Sequence, residues 1–461
     1  MTYKTLLTYG AKVSSVEQVY YSPVAQLPQL PGIPLSSIYC VLAKNDPWTD
    51  ENNPPQPTQD QTSVKQFLKR VFVAKLIESS NISPVIERIN WVSGTVYDVY
   101  SDAVDIFAQD LNGNLLNEFY IINRFDQVWK CLGNNNGGTS TVEPFFAPGT
   151  FNTNSIFQGV DGYKWKYIYT VDLGSKVKFM DSNWLPVPVG QNTPNPLVDS
   201  RTGLPPDAGV GNIDVINVNN GGSGYDPANA VITVVVTGDG SGTVATANVI
   251  NGSINDIIVS NPGTNYTFAN VSIVSSLGSG AVVSAPVSPI GGHGFDPASE
   301  LGCSHVMLTS TFTGSESGMI PTDITYHQVG ILVNPTSLSA GGNPANNTIY
   351  KTSTDLVVAP GFGTYVTDEI LYQGTVDSPS FTATILSFDS SNNVVKLINT
   401  TGSLTTNSPV FGQSSGTTRT LLSYSTPDFI TLSGYLSYIE NRTGIQRSVD
   451  GIEQFKIVLG F

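Results

Sequence analysis

The sequence predicts a mainly β protein with a few helical excursions and a small inserted β-repeat module. Three observations carry this expectation. Short stretches rich in aromatic and β-branched residues recur along the chain, punctuated by Gly, Asn and Pro clusters. One stretch stands out by helical spacing of its apolar residues. Residues 213–288 are nearly free of charge and repeat a strand–turn–strand pattern.

The elements follow in order. Residues 1–205 form an N-terminal β-rich body, with a polar, proline-rich loop over 45–61. In "SVKQFLKRVFVAKLIESS", residues 63–80, Val64, Phe67, Leu68, Val71, Phe72 and Leu76 fall at helical spacing. Ser63 or Thr62 is the expected cap, since a hydroxyl oxygen accepts from the free amides of a first turn. Strands are expected at "SGTVYDVY", "NEFYII", "DQVWKCL" and "YKWKYIYT". The last puts Tyr163, Trp165, Tyr167 and Tyr169 at every second position. A period of two lines all four on one face, with Lys164 and Lys166 opposite. That face is either a stacking platform for bases or sugars, or the wall of a core or of a subunit interface, and the core is the expectation, with Lys164 tolerant of substitution if it faces solvent.

Within 213–288, Val218 aligns with Val259, Tyr225 with Tyr266, and the Gly-Ser-Gly at 240 with that at 278. The preceding "NTPNPLVDSRTGLPPDAGVG" has linker composition, so excision of the module is expected to leave the body folded. Residues 289–461 complete the body. They include a barrel-like set of strands near 362–424 and a final strand that puts Phe455, Ile457, Leu459 and Phe461 on one face.

Composition narrows the function. Of 461 residues only 12% are charged, with 21 basic and 36 acidic side chains and a net charge of −15. Without a basic stripe, nucleic-acid binding is not expected, because phosphate neutralisation supplies most of that affinity. No apolar run is long enough to span a membrane as a helix, and no secretory signal is read at the N-terminus. Cys40, Cys131 and Cys303 are isolated and odd in number, which suggests reduced thiols and a cytoplasmic origin.

Catalytic signals are sparse. Ser414 in "GQSSG" fits the pattern of a nucleophile elbow, but strand-like sequence follows it and no histidine lies downstream. "GGSGYD" and "GGHGFD" each resemble one unit of a calcium-binding repeat without tandem copies, so glycines in tight turns are the simpler reading. His293 and His305 have no close third ligand, and neither a metal nor a cofactor is expected. Trp48, Arg124, Trp129 and Arg442 are the candidate interface anchors, because tryptophan and arginine dominate interface energetics. For each, an ordinary core or ion-pair role is the competing reading.

The chain resembles the baseplate wedge proteins of T-even-like contractile-tailed phages, in particular their dimeric wedge subunit. The resemblance becomes visible at "NRFDQVWKCLGNNNGGTSTVEP", "DGYKWKYIYT" and "FMDSNWLPV". It extends to "NDPWTDENNPPQP" and "INWVSGTVYDVY" earlier in the chain, then to "GGHGFDPASELG", "HQVGILVNP" and "YIENRTGIQRSVDGIEQFKIVL". The repeat at 213–288 and the stretch 362–424 look like additions to the smaller body of that family. The resemblance implies a layered β-sandwich without a catalytic site. It also implies a virion location after assembly in the host cytoplasm, and partnership with a second copy and other wedge subunits. The alternative is a carbohydrate-binding or glycan-degrading tail adhesin, suggested by the Gly/Asn/Thr-rich repeat.

Overall fold

Antiparallel pairing organises the chain, as its alternating apolar pattern and frequent Gly and Asn turns require. The computed structural model describes residues 8–21, 37–108, 115–147, 150, 156–189, 211–289, 291–338, 345 and 348–461. Twenty-five strands and four α-helices lie among them, and the protein is mainly β. The linker expected over 192–211 lies outside the described residues apart from Gly211. Two compact units divide the chain. One comprises Met1–Gln18, Ser83–Met307 and Val458–Phe461, the other Val19–Ile82 and Leu308–Ile457.

The first unit contains a sheet with strands in the order Tyr120–Ile122, Gln127–Asn134, Tyr163–Thr170, Ile156–Gln158. Tyr97, Ile121, Trp129, Cys131, Tyr163, Trp165 and Tyr167 form one buried cluster. Tyr163 stacks on Trp165 at 5.5 Å, and Trp129 meets Tyr167 edge-on at 5.6 Å. Three of the four alternating aromatics therefore share the core face. Tyr169 does not. A register shift at Val128/Trp129 pairs Trp129 with Tyr167 but Val128 with Tyr169, which turns Tyr169 out of phase. Its hydroxyl donates to the Pro186 carbonyl at 2.9 Å.

The repeat belongs to the same unit as this sheet. Its two copies are interleaved. Asn217–Ser223 pairs with Ser279–Ser284, Ile232–Gly238 with Ala269–Ser275, and Ser241–Ile250 with Ser253–Thr264, so every ribbon takes one strand from each copy. The aligned Tyr225 and Tyr266 are both buried in the shared core. Each is covered by a glycine of the other copy. A Cβ at Gly278 would lie 2.6 Å from the Tyr225 ring, and one at Gly240 would collide with the Tyr266 ring.

In the second unit a five-stranded sheet runs in the order Ile349–Lys351, Val71–Leu76, Ile38–Ala43, Thr325–Val333, Tyr435–Gln446. The predicted helix is shorter than its apolar spacing suggests. It spans Gln61–Arg70 and buries Phe67 and Leu68, and its cap is Asp60, whose carboxylate accepts from Thr62 and Ser63 amides. Val71–Leu76 is a strand instead. "VFVA" is buried at every position, and its β-branched residues fit a sheet interior that pairs with Ile38–Ala43. Six strands between Thr354 and Ser425 close into a barrel, filled by Leu356, Phe381, Ile385, Val395, Leu397 and neighbours. Cys40, Cys131 and Cys303 are all free and buried, and burial pushes the Cys40 and Cys303 thiols up to about 12.

Candidate functional site

The face of the first unit's sheet opposite its aromatics carries Lys130, Lys164 and Lys166. A lysine strip between strands reads as solvent-facing, but all three are buried. Lys130 and Lys166 sit directly across from one another in register, an arrangement that repels unless each charge is matched. Each is matched. Lys130 Nζ lies 2.9 Å from Glu300, Lys166 Nζ 3.2 Å from Asp214, and Lys164 Nζ 2.8 Å from Asp256. Three lysines thus meet three carboxylates, two of which, Asp214 and Asp256, come from the repeat.

Glu300 is the most elaborately held. It ends the short helix Pro297–Glu300, which Asp296 caps by accepting from Ser299 N at 3.1 Å. Its carboxylate also contacts His293 Nδ1 at 2.6 Å and accepts from the Gly294 amide. Burial works to raise the Glu300 carboxyl, but Lys130, His293 and the Gly294 amide outweigh it and hold it down at about 2. Burial, seconded by Lys130, pushes His293 below its ordinary value, against the pull of the Glu300 carboxylate beside it and Asp214 at 4.0 Å. Tyr100 closes the constellation. Lys130 Nζ lies 3.5 Å above its ring, and its hydroxyl donates to Val287 O at 3.0 Å. Two amides add further ties between repeat and sheet, Asn217 Nδ2 to Leu132 O at 2.7 Å and Asn136 Nδ2 to Val218 O at 3.0 Å.

A second constellation lies in the other unit, where the 45–61 loop meets a bulge in Tyr435–Gln446. Trp48 Nε1 donates to the Arg442 carbonyl at 2.7 Å. Glu51 accepts from the Gly444 amide at 2.8 Å and from Trp48 N at 2.7 Å, and it lies 3.1 Å from His327 Nε2. The Gly444 amide is the chief cause that lowers the Glu51 carboxyl. Gly444 has no room for a side chain, since a Cβ would stand 2.9 Å from His327 Nε2. Asn441 Nδ2 reaches Pro55 O at 2.8 Å. The loop thus supplies donors and acceptors to backbone that the bulge leaves unpaired in the ladder.

The four candidate anchors separate. Trp48 is half-buried and joined to the Arg442 backbone, while the Arg442 guanidinium pairs with Glu440 at 2.9 Å beside the Phe455 ring. Arg124 is 74% exposed and pairs with Glu143 at 3.0 Å. Trp129 is fully buried in the aromatic cluster and has no surface to offer a partner, so its anchor role is corrected to a core one. Arg447 was not singled out by sequence, yet it is almost wholly buried, with Glu453 at 2.6 Å and the Gly314 carbonyl at 2.8 Å.

Ser414 lies in a turn, its hydroxyl 3.1 Å from Glu369, and the strand Thr418–Ser425 follows where an elbow needs a helix. Gly291, Gly292 and Gly294 all adopt positive φ, so "GGHGFD" is a tight turn that aims His293 inward. His305 packs on Trp184 at 4.7 Å. Among the described residues no group of three His, Cys, Asp or Glu is placed to hold a metal ion. No family model matches the chain, and no curated protein matches it.

Proposed function

We propose that this protein is a structural subunit of the baseplate wedge of a contractile phage tail, acting by protein–protein packing rather than catalysis. The observation that carries the reading is where the resembling stretches meet. "NRFDQVWKCL", "DGYKWKYIYT" and "GGHGFDPASELG" supply Lys130, Lys164, Lys166, His293 and Glu300 to one buried constellation. "NDPWTDENNPPQP", "HQVGILVNP" and "YIENRTGIQ" supply Trp48, Glu51, His327, Arg442 and Gly444 to the other. Stretches that resemble one family and also pack on one another form a framework, not a scatter of chance matches.

On this reading the body is a layered β-sandwich that works as a homodimer, contacts other wedge subunits without cofactor, and resides in the virion after assembly in the host cytoplasm. Trp48, Arg124 and Arg442 are the anchors of its contacts. Cryo-microscopy of the parent particle tests the location, with density for this chain expected in the tail baseplate. Density in a distal fibre instead overturns the reading. Sedimentation at micromolar concentration is expected to give twice the monomer mass, and a clean monomer counts against the dimer.

A further inference from the structure

The first unit holds a cleft of about 1050 Å³ where the repeat meets the Gln127–Asn134 and Tyr163–Thr170 strands. Nine side-chain amides, eight of them from asparagine, stand among the residues that line it. Among the described residues that line it, the one basic side chain, Lys164, is already matched by Asp256 at 2.8 Å, and Asp102 adds a negative charge. An anionic ligand therefore finds no free cation among the described residues, and the polar amides and carboxylates do not suit an apolar one. Each amide both donates and accepts, which is also the hydrogen-bonding character of a hydroxyl group.

Asn248, Asn255 and Asn270 are exposed in this cleft, and their side chains make no hydrogen bond among the described residues. Asn248 and Asn270 stand on paired strands of the repeat and Asn255 at the bulge opposite Asn248 and Val249, so their positions are set by the sheet rather than by a loop. Phe268 lies two residues from Asn270 in the same cleft and is 54% exposed, a flat apolar plate beside the amides. The geometry points to a binding site for a neutral oligosaccharide, with hydroxyls bridged by Asn248, Asn255 and Asn270 and a sugar ring laid against Phe268. This inference is independent of the assembly reading, since purified protein outside any particle tests it.

The full chain is titrated with maltohexaose, cellohexaose and chitohexaose, with a heparin hexasaccharide as the anionic control, and followed by saturation-transfer NMR and calorimetry. Saturable binding of at least one neutral hexasaccharide below about 10 mM is expected, with the heparin fragment weaker. Phe268→Ala and Asn270→Ala alter exposed side chains and are expected to weaken binding by about tenfold or more with the thermal midpoint unchanged. Three results overturn the site: no saturation with any neutral probe, tighter binding of the heparin fragment, or binding by the two variants equal to that of the parent chain.

Discussion

The two faces of the sheet built on Gln127–Asn134 and Tyr163–Thr170 are equally buried but chemically opposite. One is covered by rings that gain from leaving water, and the other by lysines that lose unless matched. Trp129 and Trp165 pack among neighbours that any apolar side chains of similar volume could replace. Lys130, Lys164 and Lys166 are each matched by a carboxylate at a set distance, and Lys164 also donates to the Ile216 carbonyl at 3.0 Å. The aromatic face supplies the apolar burial, while the lysine face favours the segments whose carboxylates match it. A buried ion pair is weak evidence for net stability, but breaking one leaves an isolated charge, and that asymmetry makes the two faces separable by experiment.

The largest effect is expected from excision of residues 213–288 in favour of a short Gly/Ser linker. The sequence suggests a dispensable module, but its loss removes Asp214 and Asp256, the carboxylates that match Lys166 and Lys164. Insoluble or protease-sensitive protein is expected, and a cooperative melt close to that of the parent chain would restore the module reading.

Next comes Lys130→Met, which leaves Glu300 buried without its main partner and is expected to cost about 3–5 kcal/mol in denaturant melts at neutral pH. Trp165→Ala is expected to cost a similar amount, about 3–5 kcal/mol, through the cavity it leaves. Acid tells these two apart. Glu300 in the folded chain sits at about 2, below the ordinary 4.5, so its contribution is present above 4.5 and is lost as pH falls towards 2. The Lys130→Met penalty should therefore shrink between neutral pH and about pH 3, while the Trp165→Ala penalty stays level. Parallel pH profiles for the two variants would show that the lysine face stabilises by packing alone.

The smallest effect is expected for Lys164→Ala, about 1–3 kcal/mol, because Asp256 keeps the Gln158 amide at 2.9 Å and lies at the cleft. A cost within about 0.5 kcal/mol would place Lys164 among ordinary surface lysines, as its sequence alone suggests.

What could be read in advance divides along the same line. The strands at 127–134 and 163–170 and the paired tyrosines of the repeat were legible, because side-chain alternation and glycine punctuation are local signals. The phase change at Tyr169 was not, since the bulge depends on a partner strand some forty residues earlier. The end of the helix at Arg70 was hidden for a related reason. Val71, Phe72 and Leu76 continue the helical spacing, and only pairing with Ile38–Ala43 makes them a strand. The burial of the lysines was illegible because their carboxylates lie far along the chain. Of the candidate anchors, Trp48 and the Arg442 backbone do meet, but through the indole N–H and a carbonyl that no side-chain pattern encodes.

The facing pair Lys130 and Lys166 also has a consequence for synthesis. A chain emerging from the ribosome completes both strands well before it reaches Asp214, and much earlier than Glu300. Until then the two strands carry facing ammonium groups without the carboxylates of Asp214 and Glu300, and pairing them sets like charges side by side. Folding of this region is therefore expected to wait until residue 300 has left the exit tunnel, although N-terminal segments ordinarily fold first. Nascent chains arrested before Glu300 should remain open to protease across 127–170, and those arrested beyond it should become protected.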